Sequence, residues 1–370
     1  MTILGTRPEL IKMCRVINEF DHYSDHTLVH TGQNYDYELN QVFFDNLAIR
    51  KPDFFLNIAG KTPSETIANA IAKSDKIIRK IKPDAILIYG DTNSCLSVIS
   101  AKRNKVPVFH FEAGNRCFDE RVPEELNRKI VDHLSDINFV LTEHARRYLI
   151  QEGIKADRII KTGSHMKEVL SHYKQKINQS KILSKLKLKR NKFFLVSIHR
   201  EENIEEKKNV KYFLDTLKEL EQEFKLPIII STHPRTKKIL LKEIKSLKKS
   251  LIRFEQAFGF FDYVKLQKES LCILSDSGTI TEESSILNLP AVTIRNSHER
   301  PEGNDKATLI MSGLQKERVL EAVQLIISSH NRSKRNYEIV DDYEVDNPSK
   351  KILRNVISYI DFVNKNVWHK

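Results

Sequence analysis

Short β-branched runs alternate with amphipathic stretches along nearly the whole chain, a pattern that predicts βαβ units built around parallel sheets. In the first half the runs fall at residues 2–4, 27–30, 85–89, 108–111 and 138–141, each followed by a turn and a helical pattern. After a Lys-rich segment a second series follows at 193–198, 228–231, 252–254, 271–275 and 291–294. The best-marked helix start is Thr62-Pro63-Ser64-Glu65. There Thr62 serves as N-cap, Pro63 suits the first helical position and Glu65 completes a capping box. Ile67, Ile71, Ile78 and Ile81 then recur at roughly helical spacing and define an inward face. The expected fold class is α/β with two similar lobes, 1–164 and 165–346, and a tail, 347–370, in which 349–362 reads as a last amphipathic helix. The lobes divide at Thr162-Gly163-Ser164, where glycine offers a hinge. The first strand is short, which suggests further chain upstream of Met1.

Composition narrows the class. With 40% apolar and 30% charged residues, 11 Gly and 11 Pro in 370, the chain is neither collagen-like, low-complexity nor disordered. No run approaches the ~18 apolar residues of a membrane helix, and the start lacks the plan of a secretory signal, so the expectation is a cytoplasmic protein without a membrane partner. Cys14, Cys95, Cys117 and Cys272 form no CxxC pair, which leaves reduced thiols instead of a disulfide framework or zinc ribbon. A net charge of +12 points to nucleic acid or to an anionic metabolite. The excess sits in Lys-rich stretches, 174–192 and 237–249, without interleaved aromatics, and these read as solvated helix faces with no nucleic-acid partner.

In doubly wound folds ligands lie beyond the carboxyl ends of the strands, and the residues after each run in this chain are polar and ionic. The segments are Gly5-Thr6-Arg7-Pro8-Glu9 leading to Lys12, Gly90-Asp91-Thr92, and Glu112-Ala113-Gly114-Asn115-Arg116. In the second half they are His199-Arg200-Glu201, Thr232-His233-Pro234-Arg235, Asp276-Ser277-Gly278-Thr279 and His298-Glu299-Arg300-Pro301-Glu302. The small residues Ser277, Gly278 and Thr279 at a strand-to-helix junction leave backbone N–H groups open at the positive end of a helix dipole, which suits a diphosphate. Glu283, one turn further, is placed to hold ribose hydroxyls. No GxGxxG follows the first strand, and no GxxxxGK[ST], HExxH, EF-hand loop or GxSxG occurs, so redox, NTPase, metalloprotease, calcium-sensor and α/β-hydrolase readings lack a motif. His22, His26 and His30 are spaced by four but straddle a loop and a strand, which argues against a metal site.

Taken in order, Gly5-Thr6-Arg7-Pro8-Glu9, Gly90-Asp91-Thr92, Glu112-Ala113-Gly114, Pro123-Glu124-Glu125-Leu126-Asn127-Arg128, His199-Arg200-Glu201-Glu202-Asn203, Ser275-Asp276-Ser277-Gly278 and Glu299-Arg300-Pro301-Glu302 resemble the non-hydrolysing UDP-N-acetylglucosamine 2-epimerase family over nearly the whole chain. The blocks 112–119, 258–263 and 298–303 are more similar to one branch. That branch converts UDP-2-acetamido-2,6-dideoxy-L-talose to UDP-N-acetyl-L-fucosamine for capsule and O-antigen polysaccharide. The resemblance implies a GT-B fold, two Rossmann-like lobes around a deep cleft with the last helix crossing back onto the first, and a homodimer. It implies catalytic roles for Asp91, Glu112, Glu125 and His199, and substrate contacts from Arg7, Lys12, His233, Phe258, Tyr263, Ser277, Gly278, Thr279, Glu283 and Arg300. Two departures stand out: Gln33-Asn34 replaces the Gln-His of relatives activated by UDP-N-acetylglucosamine, and Phe258 replaces a common Gln in the uracil-contacting stretch.

The chemistry implied by the resemblance is elimination and readdition. A C2–H bond with no carbonyl on C2 is not acidic enough for simple deprotonation, so the proton leaves as UDP departs from C1, giving a 2-acetamidoglycal. Two faces need two proton-handling groups, and Asp91, Glu112 and Glu125 supply a carboxylate cluster whose repulsion and burial should raise at least one pKa. Arg7, Arg300 and the Ser277-Gly278 turn, with Lys12 nearby, stabilise charge on departing UDP, and His199 donates a proton or a hydrogen bond. Lobe closure about Gly163 retains the intermediate. No metal or nicotinamide cofactor is required, since no net redox change occurs. Three alternatives stay open on the sequence alone: the parent epimerase acting on UDP-N-acetylglucosamine, a GT-B glycosyltransferase, and a basic nucleic-acid-binding protein.

Overall fold

All ten predicted strands are present in the computed structural model of the chain, which describes residues 1–32, 44, 46–198, 206–232, 250–297 and 299–370. The chain divides into two compact units, Met1–Leu170 with Asp341–Lys370, and Ser171–Val340. Each holds one all-parallel sheet, as the α/β expectation of two Rossmann-like domains requires.

Unit 1 contains β1 (Thr2–Leu4), β2 (Leu28–His30), β3 (Phe54–Phe55), β4 (Ile86–Tyr89), β5 (Val108–Ala113), β6 (Ile137–Val140) and β7 (Ile159–Lys161), in the order β3-β2-β1-β4-β5-β6-β7. The second unit contains β8 (Phe194–Ile198), β9 (Ile228–Thr232), β10 (Ile252–Gln256), β11 (Cys272–Ser275), β12 (Ala291–Thr293) and β13 (Ile310–Met311), in the order β10-β9-β8-β11-β12-β13. Strands such as Ile-Leu-Ile-Tyr in β4 are buried along their whole length because helices cover both faces of a parallel sheet. In unit 1, Ile3, Val29, Ile86, Ile88 and Val108 pack with Ile78, Leu96, Val98 and Val131 on one face. In the second unit, Val196, Ile198, Ile228, Ile230 and Leu274 pack with Phe213, Leu217 and Val323.

Both sheets reverse strand order once, between β1 and β4 in unit 1 and between β8 and β11 in unit 2. At such a reversal the connections leave in opposite directions and open a crevice beyond the carboxyl ends of the two strands. The turns entering that position are Gly5-Thr6-Arg7 and Gly90-Asp91 in one unit, and Asp276-Ser277-Gly278 in the other.

Two helices frame the unit 1 site. Helix α1 (Arg7–Tyr23) starts directly after β1 with Pro8 in its first turn. Helix α3 (Pro123–Leu134) follows β5, and α2 (Pro63–Ile81) lies between β3 and β4 in the chain. The cap of α2 differs in one detail from the expected box. The Thr62 hydroxyl accepts from the Glu65 N–H at 3.1 Å, but the Glu65 carboxylate takes the Lys61 N–H at 2.5 Å, one residue before the cap.

The tail helix α6 (Pro348–Val363) packs against α1 within unit 1 and buries Ile352, Leu353 and Val356. Gly163, read from the sequence as a hinge, lies inside unit 1, whereas the division between units falls at Leu170 and Ser171. Its φ is +82°, a Cβ there would run into Val345, and the next residue, Ser164, donates its N–H to Asp342 O at 2.9 Å. The glycine is required by close packing of the returning tail. No helix among the described residues is long and apolar enough to cross a membrane.

Candidate active site

Unit 1 gathers its ionic groups at the β1/β4 reversal and on the adjacent end of β5. Gly5 is needed for close approach, because a Cβ there would collide with the hydroxyls of Ser94 and Thr31. Its N–H donates to Glu9 Oε2 at 2.6 Å, and the Thr92 hydroxyl donates to Glu9 Oε1 at 2.7 Å. Burial pushes the Glu9 carboxyl up to about 7 against these donors and Thr6, and the charge of Asp91 pushes the same way. Burial also lowers the pKa of Arg7, at the start of α1.

Glu112 departs from strand geometry. It has φ +59° at the next-to-last position of β5, where the register with β6 shifts between Phe111 and Ala113. A left-handed conformation in a non-glycine residue costs on the order of 1–3 kcal/mol and persists only where the surroundings impose it. Here they do. Glu112 Oε2 accepts from the Lys12 ammonium and from the Tyr89 hydroxyl, and the side chain of Lys12 is only 5% exposed. Lys12 also stands 5.7 Å from the centroid of the Tyr89 ring.

Asp91 is held from α3. Arg128 Nε donates to Asp91 Oδ2 at 2.7 Å, Asn127 Nδ2 donates to the Asp91 carbonyl at 2.8 Å, and Arg128 Nη1 donates to Glu125 Oε2 at 3.0 Å. Glu125 also accepts the N–H groups of Cys117, at 3.1 Å, and Phe118, at 3.2 Å. Burial pushes the Glu125 carboxyl up, but the Cys117 N–H and thiol and the Arg128 guanidinium outweigh it and hold it below the ordinary range.

The expected mutual repulsion of Asp91, Glu112 and Glu125 is therefore replaced by pairing. Lys12 meets Glu112, while Arg128 bridges Asp91 and Glu125. The carboxyl that burial raises towards neutrality is Glu9, a member of the quoted Gly5–Glu9 motif to which no role was given. Tyr89, Thr92, Asn127 and Arg128 are further residues that the sequence reading left without a role. Only Thr92, Asn127 and Arg128 carried a signal, their membership of quoted motifs.

Beneath this edge, His110 on β5 contacts Asp132 Oδ1 through Nδ1 and the Gly90 carbonyl through Nε2, each at 2.8 Å. Asp132 in turn accepts from Arg116 at 2.7 Å and from the Gly114 N–H. The network fixes the backbone immediately before Asp91 and after Glu112. His22, His26 and His30 take no shared site: His26 contacts Asp21 at 2.6 Å and Thr2 at 2.8 Å, and His30 stacks on Phe55.

In the second unit the Ser277-Gly278-Thr279 turn opens helix α5 (Ile280–Leu287), named after α4 (Phe260–Glu269). Ser277 and Thr279 hydroxyls lie 3.0 Å apart, and the Ser277 N–H donates to Ser275 Oγ at 3.1 Å. Glu283 is buried and accepts from Gln267 Nε2 at 2.6 Å. Tyr263 and Phe258 pack on the core cluster of Leu266, Ile273 and Ile280. Burial raises the Tyr263 hydroxyl's pKa, and the Glu283 charge adds to it against hydrogen bonds from Ser197 and Ser275.

Arg300 is buried and pairs with Glu282 at 3.1 Å. Ser277, Gly278, Arg300, Arg295, Glu299 and Asn304 line one small pocket. His199, His233 and His298, together with Gln33-Asn34, lie outside the described residues.

Comparison with known proteins points the same way. A family profile described as UDP-N-acetylglucosamine 2-epimerase matches residues 18–357. A curated UDP-N-acetylglucosamine 2-epimerase of Methanocaldococcus jannaschii is 34% identical over 346 residues, covering 91% of this chain and 93% of the relative. The solved UDP-N-acetylglucosamine 2-epimerase from Rickettsia bellii superposes with a TM-score of 0.95 at 59% identity, covering 100% of this chain and 99% of the other. The Methanocaldococcus jannaschii UDP-GlcNAc 2-epimerase, solved in complex with UDP-GlcNAc and UDP, gives a TM-score of 0.90 at 31% identity, covering 96% and 99%.

Proposed function

The chain belongs to the UDP-N-acetylglucosamine 2-epimerase family, non-hydrolysing type, and from that premise we propose that it inverts C2 of a UDP-N-acetylhexosamine by eliminating UDP and adding it back. The observation that carries the reading is the Lys12–Glu112–Tyr89 constellation on a strained strand end, next to the strand whose end presents Asp91. A carboxylate held in an unfavourable backbone conformation by two donors is oriented for a task that packing alone does not require.

In the forward step the C2 proton passes to a carboxylate as the C1–O bond to UDP breaks and the C1–C2 double bond of a 2-acetamidoglycal forms. In the return step a proton reaches the opposite face of C2 and UDP oxygen re-forms the bond to C1. Asp91 and Glu112 are the assigned proton-handling pair, with Arg128 and Lys12 fixing their orientation. Glu125, wholly engaged with Arg128 and the backbone of Cys117 and Phe118, shapes that end of the site. Negative charge that develops on the departing diphosphate is met by Arg7, by Arg300 and by the Ser277-Gly278 turn, with Glu283 on the ribose. His199 and His233 complete the assignment.

The substrate favoured first is UDP-2-acetamido-2,6-dideoxy-L-talose, on the similarity of 112–119, 258–263 and 298–303 to that branch, giving a place in polysaccharide synthesis. A second reading, interconversion of UDP-N-acetylglucosamine and UDP-N-acetylmannosamine, is supported by the names of the relatives. Incubation of each sugar nucleotide in D2O separates them: the true substrate gains deuterium at C2 and equilibrates with its epimer. A glycosyltransferase would leave C2 unlabelled and need an acceptor, and absence of label from both sugars overturns the proposal. Glu112→Gln and Asp91→Asn should each abolish turnover while UDP binding stays nearly intact, and normal rates in either variant would remove that carboxylate from the mechanism.

A further inference from the structure

Arg295 is a buried guanidinium with two terminal nitrogens that find no hydrogen-bond acceptor among the described residues. It stands two residues after β12, and its side chain is 3% exposed. Nη2 has no hydrogen-bond acceptor among the described residues, and Nη1, although 2.8 Å from Glu299 Oε2, is not aligned for a hydrogen bond. Taking such a cation out of water is costly unless its donors are met, and a guanidinium carries five of them. The unmet donors border the small pocket that Arg295 lines together with Ser277, Gly278 and Arg300.

The turn itself points to the same partner. Nη1 lies 3.7 Å from where a Cβ on Gly278 would stand, and Glu299 Oε1 occupies that Cβ position. Glycine thus makes room for the Arg295–Glu299 pair directly over the start of α5. A ligand seated there meets two guanidinium groups, a donor set that matches phosphoryl oxygens in charge and planar geometry.

We propose that Arg295 is a substrate-binding residue that takes the diphosphate: Nη2 donates to phosphoryl oxygens at the Ser277-Gly278 turn while Glu299 holds Nη1 and fixes the plane of the fork. The inference rests on reading this pocket as the seat of the UDP diphosphate. It adds a second cation to Arg300, placed where negative charge grows as the C1–O bond breaks. A lysine cannot do the same, because one compact ammonium does not span Glu299 and a phosphoryl oxygen with two planar donors.

The test compares UDP with uridine, by calorimetry for UDP and by NMR titration for uridine, on the full chain and on Arg295→Gln and Arg295→Lys. The expected result is UDP weakened at least ten-fold in both variants with uridine affinity unchanged. Unchanged UDP affinity in the variants overturns the proposal, and so does an equal weakening of UDP and uridine in Arg295→Lys. Should Arg295→Gln fail to fold, Arg295→Lys, which keeps the buried charge, decides alone. An unmodified chain that does not prefer UDP to uridine removes the diphosphate seat itself. One that prefers UDP and exchanges C2 hydrogen in D2O keeps the functional reading even when the Arg295 variants bind normally.

Discussion

Glu112 and Glu9 show how one short stretch of sheet edge gives two carboxyls different chemistry. Glu112 shares Oε2 between an ammonium and a phenol, while Glu9 is sealed beneath the turn, where a backbone N–H and hydroxyls donate to it and the charge of Asp91 opposes its ionisation. Its folded pKa of about 7 lies above the ordinary value of 4.5. Between those two values the folded state binds a proton that the unfolded chain has released, so this contribution favours folding below about pH 4.5 and is lost as pH rises through 7. Its full size is about 3 kcal/mol. Glu9→Gln, which mimics the protonated form, should therefore gain stability relative to the unaltered protein as pH is raised from 4.5 to 8, measured by urea unfolding at each pH. Parallel pH profiles for the two proteins would show that Glu9 is ionised in both states.

At the level of elements, the strand ends do more than terminate pairing. The bulge between Phe111 and Ala113 turns β5 so that Glu112 leaves the alternation of the strand, and the His110–Asp132–Arg116 network braces it from below. Helix starts carry the remaining groups: Pro8 opens α1 next to Arg7, Pro123 opens α3 with Glu125, and the Ser277 turn opens α5. The helix α2 has no such group and is a cleaner subject for capping. Thr62→Ala removes the acceptor of the Glu65 N–H and should cost about 1 kcal/mol, lowering the unfolding temperature by roughly 2–4 °C with catalysis unchanged. A loss of activity in that variant would tie α2 to the site.

On the scale of the molecule, both units use the same device, a parallel sheet that reverses its strand order where the ionic turns emerge. The tail is part of unit 1 in structure though not in sequence. Ile352, Leu353 and Val356 of α6 are buried in that unit, and Ser349 Oγ donates to Glu168 at 2.5 Å. Each such apolar side chain contributes about 1.5–3 kcal/mol when buried. A chain ending at residue 346 should consequently lose several kcal/mol from unit 1, seen as a lower unfolding temperature by calorimetry, and an unchanged transition would show the tail to be dispensable.

The amino-acid order by itself determines what is local and periodic. Buried strands bounded by helical patterns announce ten of the thirteen described strands, and the motifs name Asp91, Glu112, Ser277 and Arg300 because ligand chemistry collects at strand ends. The three unforeseen strands, β3, β7 and β13, are edge strands of two or three residues, defined by the neighbour they pair with and not by a pattern of their own. Pairing between distant groups is equally invisible along the chain. Lys12 meets Glu112 across 100 positions, Arg128 meets Asp91 across 37, and the tail reaches unit 1 only after the whole second unit has intervened. Which carboxyl stays charged, which is pushed up, and which guanidinium is left with donors to spare are set by burial and by those distant partners. They belong to the tertiary structure because desolvation and Coulomb attraction act through space.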